Sequence, residues 1–235
     1  VRNAVVSARK ALGTWSGKTA FNRSQVLYRI AEVLEGRKLQ FVEELMLQGV
    51  QKAAATKEVE ASIDRIVYYA GWCDTFCQIG SSVNPVSSSH FNFSTYEPVG
   101  VVGIIAPQDS SLFGLVSMLL PVIAGGNSCV ILANEKMPLC SITFSEVLNA
   151  SDVPGGVVNI ITGHISELVK PLSTHMDVNA IAFSNIPELK KEIDLYSVDN
   201  LKRVRAYNVS WKDNDAQALH YITDFQEVKT TWHPI

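Results

Sequence analysis

The feature that most constrains the fold is VGVVGIIA at residues 99–106, an uninterrupted apolar run of strand length. A strand with water on one side alternates apolar and polar side chains. A strand that is apolar at every position suits burial on both faces, as in a parallel sheet. Three further runs repeat the theme: SCVILA (128–133), VVNIIT (157–162) and NAIAFS (179–184). Helix-length segments lie between them. The first covers 111–124 and ends at Gly125-Gly126, where glycine can turn left-handed. The second opens at Pro138, a residue favoured at a helix start, and runs to about Asn149, with SDVPGG (151–156) as the following turn. The third covers 165–174. This alternation predicts a parallel sheet with helices on both faces. Residues 110–134 carry no charge, yet Pro121, Gly125, Gly126, Asn127 and Ser128 interrupt them. A membrane span needs about 20 apolar residues in succession, so a buried helix, a turn and a buried strand are expected instead.

The flanking regions read differently. Val26, Leu27, Ile30, Val33 and Leu34 form one face of a helix over 22–35, with Asn22 as its N-cap and Gln25 three residues on. A second helix is expected through Phe41–Leu47. A third, over about 57–77, places Val59, Ile63, Ile66, Val67 and Ala70 on one side. SSVNPVSSSH (81–90) reads as an exposed connection and FNFSTYE (91–97) as a strand. After Ser184 the pattern predicts a helix over 187–196, then strands in LKRVRAYNV (201–209) and LHYITDFQEVKTTW (219–232). The chain divides into N-terminal helices with a first arm strand (1–97), a sheet core (98–200) and C-terminal strands (201–235).

The 235 residues are 47% hydrophobic, enough to bury a core, and their net charge is −3 without a Lys/Arg cluster, which excludes a nucleic-acid footprint. Cys73 and Cys77 stand one helical turn apart with no His or Cys at ligand spacing, and Cys129 and Cys140 lie elsewhere, so a metal site is not expected. Reduced structural cysteines and the lack of a visible signal peptide point to the cytoplasm. The first residue is Val1, as expected for a piece of a longer polypeptide. His164, in a strand-to-helix turn, reads as a solvent-facing loop residue. Asp109 and Asp152, single carboxylates in separate loops, make no ligand set. Trp232 reads either as an interface anchor or as a partly buried edge residue.

Several segments, in order and at matching spacing, resemble the aldehyde dehydrogenase superfamily. They are RSQVLYRIAEVLEGRKLQF (23–41), VYYAGWCD (67–74), YEPVGVVGIIAP (96–107), LLPVIAGGNSCVI (119–131), VPGGVVNIITG (153–163) and DVNAIAFS (177–184). FQEVKTTWHPI (225–235) resembles the family's C-terminal strand. The short span between the fourth strand and this tail most resembles the degenerate C-terminal domain of family 16 aldehyde dehydrogenases. The resemblance implies an α/β fold: a Rossmann-like parallel sheet preceded by helices, completed by a β-strand oligomerisation arm, and without the catalytic domain.

It also implies where chemistry would sit. Family enzymes attack the aldehyde with a cysteine thiolate downstream of the segment matched by AIAFS, yet no cysteine follows Cys140, and no Glu-Leu-Gly-Gly supplies a general base. Asp109 stands where the family's Asn stabilises an oxyanion, and a carboxylate repels one. The family's Lys-Pro-Ser-Glu, which holds the adenosine ribose, aligns with Ala133, Asn134, Glu135 and Lys136. Its Phe-Thr-Gly-Ser aligns with Phe183, Ser184, Asn185 and Ile186, and the second glycine of that spaced pair falls at Lys190. No catalytic residue and no bound NAD are therefore expected. The chain reads as a non-enzymatic scaffold whose tail pairs with strand 91–97, the resulting arm contacting an aldehyde dehydrogenase catalytic domain in the same polypeptide or a second copy as a dimer. The alternatives are an NAD-binding fragment whose catalytic domain lies elsewhere and a module that recruits an unrelated protein.

Overall fold

The computed structural model describes residues 1–213 and 216–235. Five strands form one wholly parallel sheet: β3 (Val101–Ile105), β4 (Ser128–Leu132), β5 (Val158–Ile161), β6 (Ala180–Ser184) and β7 (Arg203–Tyr207), in the order β5-β4-β3-β6-β7. The four apolar runs are its first four strands, and all of β3, β4 and β6 is buried. Successive side chains serve opposite faces. Val102 and Ile104 pack with α6 (Phe113–Ala124), α7 (Leu139–Ala150), α2 (Ala20–Gly36) and α4 (Lys52–Trp72). Val101 and Ile105 face α1 (Arg2–Ser16), α8 (Ile165–Ser173) and α9 (Pro187–Tyr196). Every residue of α6 is buried, so its lack of charge is a core property. Among the described residues no helix is long and apolar enough to cross a membrane.

Several sequence expectations need correction. Helix α1, with Val5, Ala8, Ala11 and Trp15 buried, precedes the first helix expected from the sequence. Helix α2 begins earlier than expected because Thr19, not Asn22, caps it: the Thr19 hydroxyl accepts from the Asn22 N–H at 3.2 Å. The third predicted helix is two, α4 and α5 (Phe76–Gly80). N–H groups of Cys73 and Thr75 bond three residues back, which tightens and ends the first. The expected connection over 81–90 contains β1 (Ser82–Asn84). The strand expected over 219–232 starts late: His220–Thr223 is a helical turn, α10, because its Tyr221 and Ile222 are drawn into the core.

A second, antiparallel sheet has the order β1-β2-β8, built from β1, β2 (His90–Pro98) and β8 (Gln226–Pro234). Strand β2 runs its full length against β8, from His90 opposite Pro234 to Pro98 opposite Gln226. The tail therefore pairs with the 91–97 strand, as the sequence predicts. Both strands leave the body at one turn. Asn127, wholly buried, accepts from the Gly100 N–H at 2.9 Å and donates to the carbonyls of Val122 and Phe225 at 3.2 and 3.0 Å. Gln226 donates to the Gly125 carbonyl at 3.1 Å. Gly126 takes φ +88 in this turn, a left-handed value that favours glycine.

The span between β7 and β8 folds back onto the helices. Arg65, 4% exposed, donates to the Ser117 hydroxyl and to the carbonyls of Ala216 and Trp211, and its guanidinium lies 4.6 Å from the Phe113 ring centre. Trp211 and Tyr221 are buried and pack on Tyr207. On β7, Arg205 pairs with Asp224 at 2.9 Å and the Tyr207 hydroxyl donates to the same carboxylate at 2.8 Å.

Candidate functional site

Strands β3, β4 and β5 run to one side of the sheet and β6 and β7 to the other. The loops after β3 and β6 lead to helices on opposite faces. A doubly wound sheet opens its ligand crevice there, beyond the carboxyl ends of the strands. All five positions singled out from sequence lie at or near these ends; Asp109 lines one cleft, and Asn185 and Lys190 line another.

Asp109, exposed in the loop after β3, lines a cleft of about 460 Å³ with Lys57, Glu58, Phe113 and Met137. Ala133 is buried at the end of β4, and Lys136 is exposed beyond it. Asn134, 1% exposed, ties these loops together: its amide donates to the carbonyls of Pro107 and Ser110, and its oxygen accepts from the N–H groups of Lys136 and Met137. Gln108 adds a second tie, donating to the Ala106 carbonyl at 2.7 Å and accepting from the Glu135 N–H at 2.9 Å.

Two helix N-termini at this edge are occupied by carboxylates of the chain. Glu135 accepts from the Ile165 N–H at the start of α8 at 3.0 Å and pairs with the His164 imidazole at 2.7 Å. Glu58, on α4, accepts from the N–H groups of Leu112 and Phe113 at the start of α6, at 2.9 and 3.2 Å. Unpaired N–H groups at a helix start attract anions, and here side chains satisfy them. The His164 hydrogen bond, then the Ile165 N–H, hold the Glu135 carboxyl below its ordinary range. Glu135 in turn raises the His164 imidazole. His164 is solvent-exposed, as the sequence suggests, but it also has a defined partner.

Asn185 and Lys190 lie apart from this group, in a cleft of about 310 Å³ with Phe183, Ile186, Tyr207 and Asn208. Asn185 holds φ 56, a left-handed conformation that asparagine tolerates better than most residues. Its amide donates to the Val209 carbonyl at 2.8 Å. The turn thus keeps a shape suited to glycine while a side chain fills it. Lys190 pairs with Asp194 one helical turn on, at 2.5 Å. The thiols are poor nucleophiles. Burial pushes Cys73 and Cys140 up to about 12 and also raises Cys77 and Cys129.

The sequence model of the aldehyde dehydrogenase family matches residues 1–206. The chain belongs to the aldehyde dehydrogenase family. Human cytosolic 10-formyltetrahydrofolate dehydrogenase is 33% identical over 213 residues, covering 87% of this chain and 23% of the relative. Human aldehyde dehydrogenase 1A1 is 30% identical over 210 residues, covering 87% and 41%. Among solved structures, PnpE from Pseudomonas sp. WBC-3 superposes with a TM-score of 0.82 at 29% identity, covering 86% of this chain and 42% of that one. The NAD+ complex of an aldehyde dehydrogenase from Bacillus cereus gives 0.81 at 28%, with the same coverage. The aldehyde dehydrogenase chain thus spans about two fifths or less of the length of these relatives, and the family match ends before β8.

The five positions singled out from sequence lie at or near the carboxyl ends of strands β3, β4 and β6, because strand ends follow directly from the apolar runs. The sequence reading missed the residues that close the edge. Asn134 and Glu135 were noted only as replacements, and Glu58 not at all. A buried asparagine directly after a strand is the one available signal, since a buried amide demands partners. Glu58 and Leu112 are joined by tertiary packing alone.

Proposed function

We propose that this chain is a non-catalytic structural domain of an aldehyde dehydrogenase protein. It serves as a scaffold that assembles through its arm with a catalytic domain of the same polypeptide or with a second copy, in the manner of the shorter domain of family 16. The observation that carries the reading is the carboxylate of Glu135 at the start of α8. It stands in the segment aligned with the family's ribose-binding motif, and its two oxygens are taken up by the Ile165 N–H and the His164 imidazole, which leaves it unavailable to ribose hydroxyls. NAD does not fit these residues. Asn134 staples the flanking loops, the Asn185 side chain occupies the glycine-shaped turn, and the lysine and glutamate expected of the motif are Ala133 and Lys136.

Further support comes from the span between β7 and β8. Its sequence contains no cysteine, and its Trp211, Tyr221 and Phe225 are core residues. The arm, in contrast, keeps its full pairing. Sedimentation of the full chain, alone and with an aldehyde dehydrogenase catalytic domain, tests the reading. A complex in at least one case is expected, together with no NADH formation by the chain alone. A monomer in both cases, or turnover of an aldehyde, overturns it.

A further inference from the structure

Where β7 begins, at the opposite end of the strands from the candidate site, three unusual residues meet around one cleft of about 370 Å³. Lys202, directly before β7, is 8% exposed, although lysine is seldom buried without a charged partner. Ser197, at the end of α9, is 3% exposed, and its hydroxyl has no hydrogen-bond partner among the described residues. Leu201 holds φ 53, a left-handed conformation that strains leucine, yet it is 90% exposed, so packing does not account for it. Val198, 60% exposed, continues the apolar rim. A buried amine, a buried free hydroxyl and an exposed apolar rim make a site for a small molecule with a polar head and a hydrocarbon tail. We propose that Lys202 captures an apolar aldehyde in this cleft as a reversible imine.

The amine is held in place and kept reactive. Its Nζ donates to the Asn200 side-chain oxygen, and the Asn200 amide is itself fixed by the carbonyls of Met176 and Val178, at 3.0 and 3.2 Å. Burial, opposed by Asp199, lowers the Lys202 amine to about 8. At pH 7.5 about a quarter of it is then neutral, against about one in a thousand for an ordinary lysine. The neutral amine is the form that adds to a carbonyl carbon. Its lone pair forms the N–C bond and its proton passes to the oxygen, giving a carbinolamine. Loss of that hydroxyl with the remaining N–H proton, as water, leaves the C=N bond. No oxidant or reductant takes part, and water reverses the step. The Ser197 hydroxyl is free to donate to the oxygen as it takes up charge. Charge selects the class of ligand. Asp199 and Asp194 are the acidic groups facing the amine, the second paired with Lys190 at 2.5 Å. They repel a carboxylate, or the carbamate that carbon dioxide would form, whereas an aldehyde leaves the nitrogen neutral or cationic. Leu201 and Val198 cover the tail.

Reductive trapping of the full chain tests the site. Hexanal with cyanoborohydride at the same pH, followed by peptide mass mapping, reads each lysine separately. Lys202 is expected to be tagged at least tenfold faster than the exposed Lys10 and Lys52. Measured relative to Lys10, it should also prefer hexanal to acetaldehyde about fivefold. Leu201→Asn should abolish that preference and leave acetaldehyde tagging of Lys202 unchanged. Asparagine tolerates φ 53 better than leucine, so the fold is kept. Ser197→Ala should slow hexanal tagging several-fold without loss of stability, because its hydroxyl has no bond to lose. Tagging of Lys202 no faster than that of Lys10 and Lys52 overturns the reactive amine. Fast tagging with no preference for hexanal overturns the apolar ligand. Either failure leaves the scaffold reading standing, since that reading concerns the arm.

Discussion

Both edges of the parallel sheet are stitched with asparagines, to opposite ends. Where the strands begin, Asn127 joins the turn before β4 to Gly100 and Phe225, and Asn179 accepts from Val101 and Arg9. These bonds fix the root of a projecting arm. Where the strands end, Asn134 and Asn185 bond to loops on either side, and Glu135 and Glu58 fill helix starts. These bonds close the space in which a doubly wound sheet holds a ligand. The same side-chain chemistry therefore anchors the β2–β8 arm at one end of the strands and ties the loops together at the other. An edge is defined by what its amides are bonded to, and resemblance in fold does not decide that.

Breaking the arm root should have the largest effect. Asn127→Ala removes three hydrogen bonds in a fully buried site and orphans the Gly100 N–H. A loss of about 3 kcal/mol is expected, read as a lower urea midpoint at unchanged slope. Asn134→Ala should cost less, about 2 kcal/mol, because its partners sit in loops that water can reach once the amide is gone. If the order of the two is reversed, the sealed edge rather than the arm root is the main polar staple of the fold.

Asn185→Gly should change stability by less than about 1 kcal/mol, since glycine suits φ 56 and offsets the lost bond to Val209. A larger loss would show that Asn185 holds the β7 loop as firmly as Asn127 holds the arm. The smallest effect belongs to the exposed Glu135–His164 pair. The imidazole is raised above its ordinary 6.5 in the folded chain, so its contribution is complete below 6.5 and is lost as pH climbs through the raised value. The carboxyl is lowered from 4.5, so its contribution is present above 4.5 and lost as pH falls through the lowered value. The pair is thus fully formed between about 4.5 and 6.5. Glu135→Gln should return the His164 titration, followed by NMR, to its ordinary range with little change in stability.

Sequence alone revealed the sheet because its strands are apolar on both faces, a pattern few other folds produce. VGVVGIIA and AIAFS became β3 and β6 with little change of boundary. The tail pairing was legible too, through FNFSTYE and QEVKTTW. What failed was local and context-bound. Thr19 outcompeted Asn22 as a cap although both are good capping residues. LHYIT has strand propensity, yet Tyr221 was needed against Tyr207 and Trp211, and the segment turned helical. At the candidate site the sequence singled out positions 109, 133, 136, 185 and 190, but not the bonds that tie their loops together. Glu58 meets Leu112 across 54 residues, and no periodicity encodes that contact.

The central claim is that the edge which would hold a dinucleotide is occupied by the chain's own side chains. Calorimetric titration of NAD into the full-length chain tests it most directly. The account predicts no saturable heat at NAD concentrations up to the millimolar range. A dissociation constant in the low micromolar range, about −8 kcal/mol, would show that Asn134, Glu135 and Asn185 yield to the cofactor and would contradict it.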